Sequence, residues 1–169
     1  MTLGRLLVSV LAVVGAVLLQ VTLLSRLGLP GATPDLVLVV VLAFGAVRGP
    51  TTGAGVGFAA GLLLDLIPPS MGYFGLTALL LAVAGYLMGV VAERTGGVVA
   101  ISLITVALIS VGIVVGRAAI GTLLGDPRVS WGEVPGLALT EAVYAVILAA
   151  LVFPALAAID RFLEPRLSM

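Results

Sequence analysis

Apolar positions in this chain run in unbroken blocks rather than alternating with polar ones. Four blocks, 6–24, 73–92, 98–124 and 134–159, are about 20 residues long or more. That length crosses ~30 Å of hydrocarbon as an α-helix rising 1.5 Å per residue. Between Pro34 and Pro68 the pattern is tighter: blocks at 35–47 and 51–67 are separated only by Arg48, Gly49 and Pro50. The apolar part of the first is about 12 residues, ~18 Å of helix, too short to span alone unless Asp35 or Arg48 enters the interface. A pair of short tilted crossings and a re-entrant hairpin both fit this spacing. A hairpin would hold Arg48 at depth, at a cost of at least ~2.5 kcal/mol, which favours two crossings and six helices in all. The first block follows Arg5 as a signal peptide would. It is longer than the usual ~7–15 residue signal core and no small-x-small cleavage site follows, so it reads as a retained first helix.

Composition turns this pattern into a solvent assignment. The chain is 62% hydrophobic and 9% charged, against roughly 25% charged residues in soluble domains, and its mean hydropathy is +1.34. The expected fold is an all-α integral membrane protein, with residues 1–169 forming a single transmembrane domain. A net charge of zero argues against a nucleic-acid partner. The arginines suggest an orientation: with both termini cytoplasmic, Arg5, Arg48, Arg94, Arg161 and Arg166 lie inside and only Arg26 and Arg128 outside. The positive-inside rule therefore favours N-in, C-in, with Trp131 near the outer headgroups. No loop is long enough for a soluble catalytic or binding module, which places function within or beside the bundle.

Three ionisable residues fall inside the spans. Asp65 lies within about one turn of the outer end of the third helix, while Arg117 and Glu141 lie ~10 Å inward from the outer ends of the fifth and sixth. Their matching depth on consecutive antiparallel helices predicts an Arg117–Glu141 ion pair facing the bundle interior, which would lock the fold, meet a partner, or serve a ligand or proton site. Gly53, Gly57 and Gly61 recur at four-residue spacing, as do Gly85 and Gly89, Gly112 and Gly116, and Gly121 and Gly125. In lipid, small residues admit close backbone approach, so the first three make the third helix a candidate central packing element or interface, with Gly85 and Gly89 as a second such face. Enzyme chemistry has few options here. Histidine, cysteine and lysine are absent, which removes Ser-His-Asp and Cys-His arrangements, Ser-Lys dyads and nitrogen or sulfur metal ligation. No aspartyl-protease signature, P-loop or metal–diphosphate motif is present. Neither catalysis nor a cofactor is expected.

One segment carries a family likeness. Residues 34–89 contain Pro-Asp-Leu opening the second helix, an Arg-Gly hinge at Arg48 and Gly49, the string GFAAGLLLD ending at Asp65, a Gly-x-x-x-Leu segment at Gly75, and GYLMG from Gly85 to Gly89. This pattern resembles the rod shape-determining MreD family. The central third carries the specific likeness. The remaining helices match in length and apolarity, so Arg117 and Glu141 draw nothing from it. The resemblance implies a non-enzymatic, multi-pass subunit of the bacterial cytoplasmic membrane, part of the cell-wall elongation machinery. Its implied partners are an MreC-like bitopic protein and, with it, MreB, RodA and a class B penicillin-binding transpeptidase. The family in turn resembles the S-component bundle of energy-coupling-factor vitamin transporters, which implies an alternative: a subunit binding a small molecule or lipid in an outward-facing pocket.

Overall fold

The computed structural model describes residues 3–22, 31–67 and 74–163. Every regular element among the described residues is an α-helix: α1 Leu3–Thr22, α2 Leu36–Arg48, α3 Pro50–Leu66, α4 Leu76–Thr95, α5 Val99–Leu123 and α6 Val134–Leu163. The predicted start of the fourth helix at residue 73 and the end of the first at 24 lie outside the described residues. By length and apolarity α4, α5 and α6 can each cross a membrane. α6 runs past its expected end at residue 159 and carries Pro154 in its interior. A proline costs one backbone hydrogen bond within a helix, which transmembrane helices tolerate. The extension puts Asp160 on the last turn of α6, still within the helical array.

The centre of the fold is α2. From Val37 to Phe44 every side chain is buried, most of them completely, and α2 touches all five other helices. A helix that is apolar on every face is stable only when covered on every face, and LVLVVVLAFGAVR leaves no polar stripe to turn outward. Sequence reasoning singled out α3 as a packing element on the strength of its glycines and did not single out α2. Those glycines fit α3 closely to one neighbour, whereas all-round apolarity is what requires a central position.

That neighbour is α4. A Cβ at Gly57 would overlap the Leu81 carbonyl, one at Gly61 would overlap the Ala78 backbone, and one at Gly89 would overlap Pro50. As the α3 number rises by about four its α4 partner falls by about four, the register of an antiparallel pair. At Gly53 a third backbone joins, since Gly45 of α2 lies against both Gly53 and Gly85. Gly49, at φ +89°, makes the turn from α2 into α3, and Pro50 opens α3 where its missing N–H costs nothing. Other glycines at four-residue spacing behave differently. A Cβ at Gly112 would meet nothing within 4 Å, and one at Gly116 would make an ordinary 3.6 Å contact with Leu80.

Candidate functional site

The two ends of α2 are its only charged positions, and each is held by other helices. At its C-terminal end the Arg48 guanidinium forks onto Asp160 of α6: Nε donates to Oδ1 at 3.0 Å and to Oδ2 at 2.8 Å, and Nη2 also donates to Oδ1. Nη1 donates to Ser9 Oγ of α1 at 2.7 Å. The same guanidinium sits 4.8 Å from the Phe44 ring centroid, a cation–π distance. One arginine thus ties α1, α2 and α6 together, in a bidentate geometry that lysine cannot reproduce. Sequence reasoning placed Arg48 at a hinge and assigned no role to Asp160 or Ser9. Both partners are remote in sequence, and only the bundle brings them to Arg48.

At the N-terminal end Asp35 caps α2, its Oδ1 accepting from Leu38 N–H at 2.9 Å, while Gln20 Oε1 of α1 accepts from Val37 N–H at 2.8 Å. These two side chains satisfy amide donors that a helix start leaves open. Thr140 of α6 accepts from Ala32 N–H at 3.3 Å, fastening the segment before the cap. The other carboxylate oxygen of Asp35 lies 3.7 Å from Arg117 Nη2. This corrects the expected Arg117–Glu141 pair: among the described residues, Arg117 forms its ion pair with Asp35. Residues 36 to 48 cannot cover the full thickness of the bundle, so the start of α2 falls at the depth of Arg117 and brings Asp35 with it. Depth-matching α5 against α6 alone could not register this third carboxylate.

Glu141 shares the neighbourhood without sharing the bond. It is 5% exposed, and its Oε1 is buried with no hydrogen-bond partner. Asp35, Arg117 and Glu141 line one cavity of about 410 Å³, together with Gln20, Glu133 and Arg128. Arg128 is engaged from the other side by Asp126, Nε donating to Oδ1 and Nη2 to Oδ2, each at 2.9 Å. Those bonds hold the half-buried Asp126 carboxyl below the usual carboxylate range. Nearby, Trp131 donates its indole N–H to Thr122 Oγ1 at 3.0 Å.

Asp65 stands apart from this cavity. Its Oδ2 accepts from Gly75 N–H at 2.8 Å and from Ala78 N–H at 3.4 Å. Those are the N-cap and third-residue amides of α4, whose own cap, Gly75, has no side chain to offer. Asp65 supplies from α3 the acceptor, and the negative charge, that a helix start requires.

The glycine-fitted α3–α4 pair lies wholly within the segment 34–89, while the ends of α2 are held by residues outside it. A family model for the rod shape-determining protein MreD matches residues 1–159. The chain belongs to the MreD family. It is accordingly a rod shape-determining membrane protein, of a family that is structural in role. No curated protein and no solved structure matches the chain. For an MreD protein, the charged groups described above are ion pairs, caps and one polar cavity. Among the described residues no group of three or more carboxylates is placed to hold a metal ion.

Proposed function

We propose that this MreD protein acts without catalysis, as a multi-pass subunit that scaffolds peptidoglycan synthesis along the cell length. It would do so with an MreC-like bitopic protein and, through it, MreB, RodA and a class B penicillin-binding transpeptidase. The observation that carries this reading is the family match over residues 1–159. The side-chain chemistry is consistent with it, since the charged groups at Arg48, Asp160 and Asp65 are spent on holding helices together. In this reading the chain crosses the cytoplasmic membrane six times with both termini inside, and the Asp35 end of α2 faces outward. α1 and α6 keep wide apolar surfaces, including Leu11, Leu18, Leu139 and Leu151, open to lipid or to partner helices. Gly53, Gly57 and Gly61 of α3 face the backbone of α4, and Gly85 and Gly89 of α4 face Gly53 and Pro50, so these five act within the chain.

The test is capture in mild detergent together with cell shape. The protein should co-purify with the MreC-like protein, and its loss should round or swell a rod-shaped cell. A deletion strain that keeps its rod form, with no capture of that partner, would refute the scaffold. The cavity at the Asp35 end favours a second role beside this one, the binding of a small polar group. It stands on separate residues.

A further inference from the structure

Glu141 is a buried carboxylate whose Oε1 has no donor, yet the residue lines an open cavity. A buried acceptor left unsatisfied is costly, and a buried unpaired charge more so. Neither neighbouring guanidinium donates to that oxygen. Arg128 is clasped by Asp126, and Arg117 makes its ion pair with Asp35 at 3.7 Å, longer than a hydrogen bond. The Arg117 side chain is 44% exposed, so its N–H groups remain open to a further acceptor. Asp35, Glu133 and Glu141 bring three carboxyl groups to a cavity that Arg117 and Arg128 also line. They do not converge as a metal-binding cluster. An organic cation bearing N–H donors suits this geometry, with an anionic group beside it for Arg117.

Depth narrows the choice. Arg117 and Glu141 each lie about two turns from a helix end, ~10 Å along the axis, where headgroups give way to hydrocarbon. Ile113 and Leu137 supply apolar lining to the same cavity, and its volume of about 410 Å³ is in the range of small-ligand sites, ~300–1,000 Å³. We infer that the cavity binds a primary ammonium joined to a phosphate, the ammonium donating to Glu141 and the phosphate accepting from Arg117. Phosphatidylethanolamine and free phosphoethanolamine both present this chemistry. The inference rests on the cavity and stands whether or not the scaffold reading does.

The full chain in phosphatidylglycerol nanodiscs, doped with equal small amounts of phosphatidylethanolamine and phosphatidylcholine, is examined by native mass spectrometry. Phosphatidylethanolamine should be retained about tenfold over phosphatidylcholine, whose quaternary ammonium has no N–H to donate, and Glu141→Gln should bring the two near parity. Lipid-stripped protein is then heated with free phosphoethanolamine or with inorganic phosphate. Stabilisation by phosphoethanolamine alone, without lipid preference, assigns the same chemistry to a soluble ligand. Glu141→Gln loses no hydrogen bond at Oε1 and should melt at or above the wild-type temperature. Arg117→Gln, read below its melting temperature, should weaken retention of both zwitterionic lipids. Equal retention of the two lipids by the wild type with no effect of phosphoethanolamine, a preference that survives Glu141→Gln, or a Glu141→Gln variant that fails to fold would each overturn the assignment. So would loss of partner-protein capture on Glu141→Gln without any lipid or phosphoethanolamine effect, which would give the carboxylate to a protein cation.

Discussion

Arg48 and Asp160 show how much a single buried ion pair controls once its partners are desolvated. Removing one member leaves the other charge buried, a loss of about 3–5 kcal/mol, whereas replacing both with apolar residues of similar size is often close to neutral. Asp160→Ala should therefore sharply lower the thermal unfolding midpoint in detergent, and the double variant Arg48→Met with Asp160→Leu should be more stable than Asp160→Ala. If the double variant is the worse of the two, the pair is not acting as a charge-compensated lock. Asp65 acts more modestly. Asp65→Ala removes the acceptor for two amides at the start of α4 and should cost about 0.5–2 kcal/mol. Asp65→Asn keeps an acceptor but loses the charge and should fall between, as measured by denaturant titration.

At the scale of elements, glycine spacing has meaning only where another backbone stands opposite. A methyl at Gly57 meets the Leu81 carbonyl, while one at Gly112 meets open space. Gly57→Ala should destabilise the α3–α4 pair by about 1–3 kcal/mol, the usual range for overpacking. Gly112→Ala should be neutral or stabilising by up to about 1 kcal/mol, because alanine is the better helix former. Paired melting curves in one detergent decide this, and equal losses would remove the close-packing account. α2 illustrates the complementary case. Its glycine content is low and its length is short, and its place at the centre follows from having no polar face to show to anything else.

At the scale of the whole molecule the proposed orientation makes a prediction that the composition makes easy to test. The chain has no cysteine, so single thiols report sidedness without background. Ser130→Cys, exposed in the segment between α5 and α6, should react with a membrane-impermeant maleimide on intact cells stripped to the cytoplasmic membrane. Val98→Cys, exposed between α4 and α5, should react only after permeabilisation. The reverse pattern would invert the proposed topology and place the Asp35 cavity on the cytoplasmic side.

Helix number, near-complete helix bounds and the family were legible in the sequence because each is written locally. Apolar block length sets a span, Gly-Pro sets the α2–α3 turn, and the motifs of residues 34–89 are contiguous. The glycines of α3 and α4 were visible as candidates too, although their spacing did not separate them from Gly112 and Gly116. What only the tertiary structure decided was which charge meets which. Asp35, Arg117 and Glu141 come from three helices, as do Ser9, Arg48 and Asp160, and a one-dimensional depth estimate fixes height along the bundle but not direction around it. Arg117 accordingly reached Asp35 rather than Glu141, and Glu141 was left buried beside a cavity. Local pattern determines which segments are helices in a membrane. The lateral packing of those helices determines which of their few charges are satisfied.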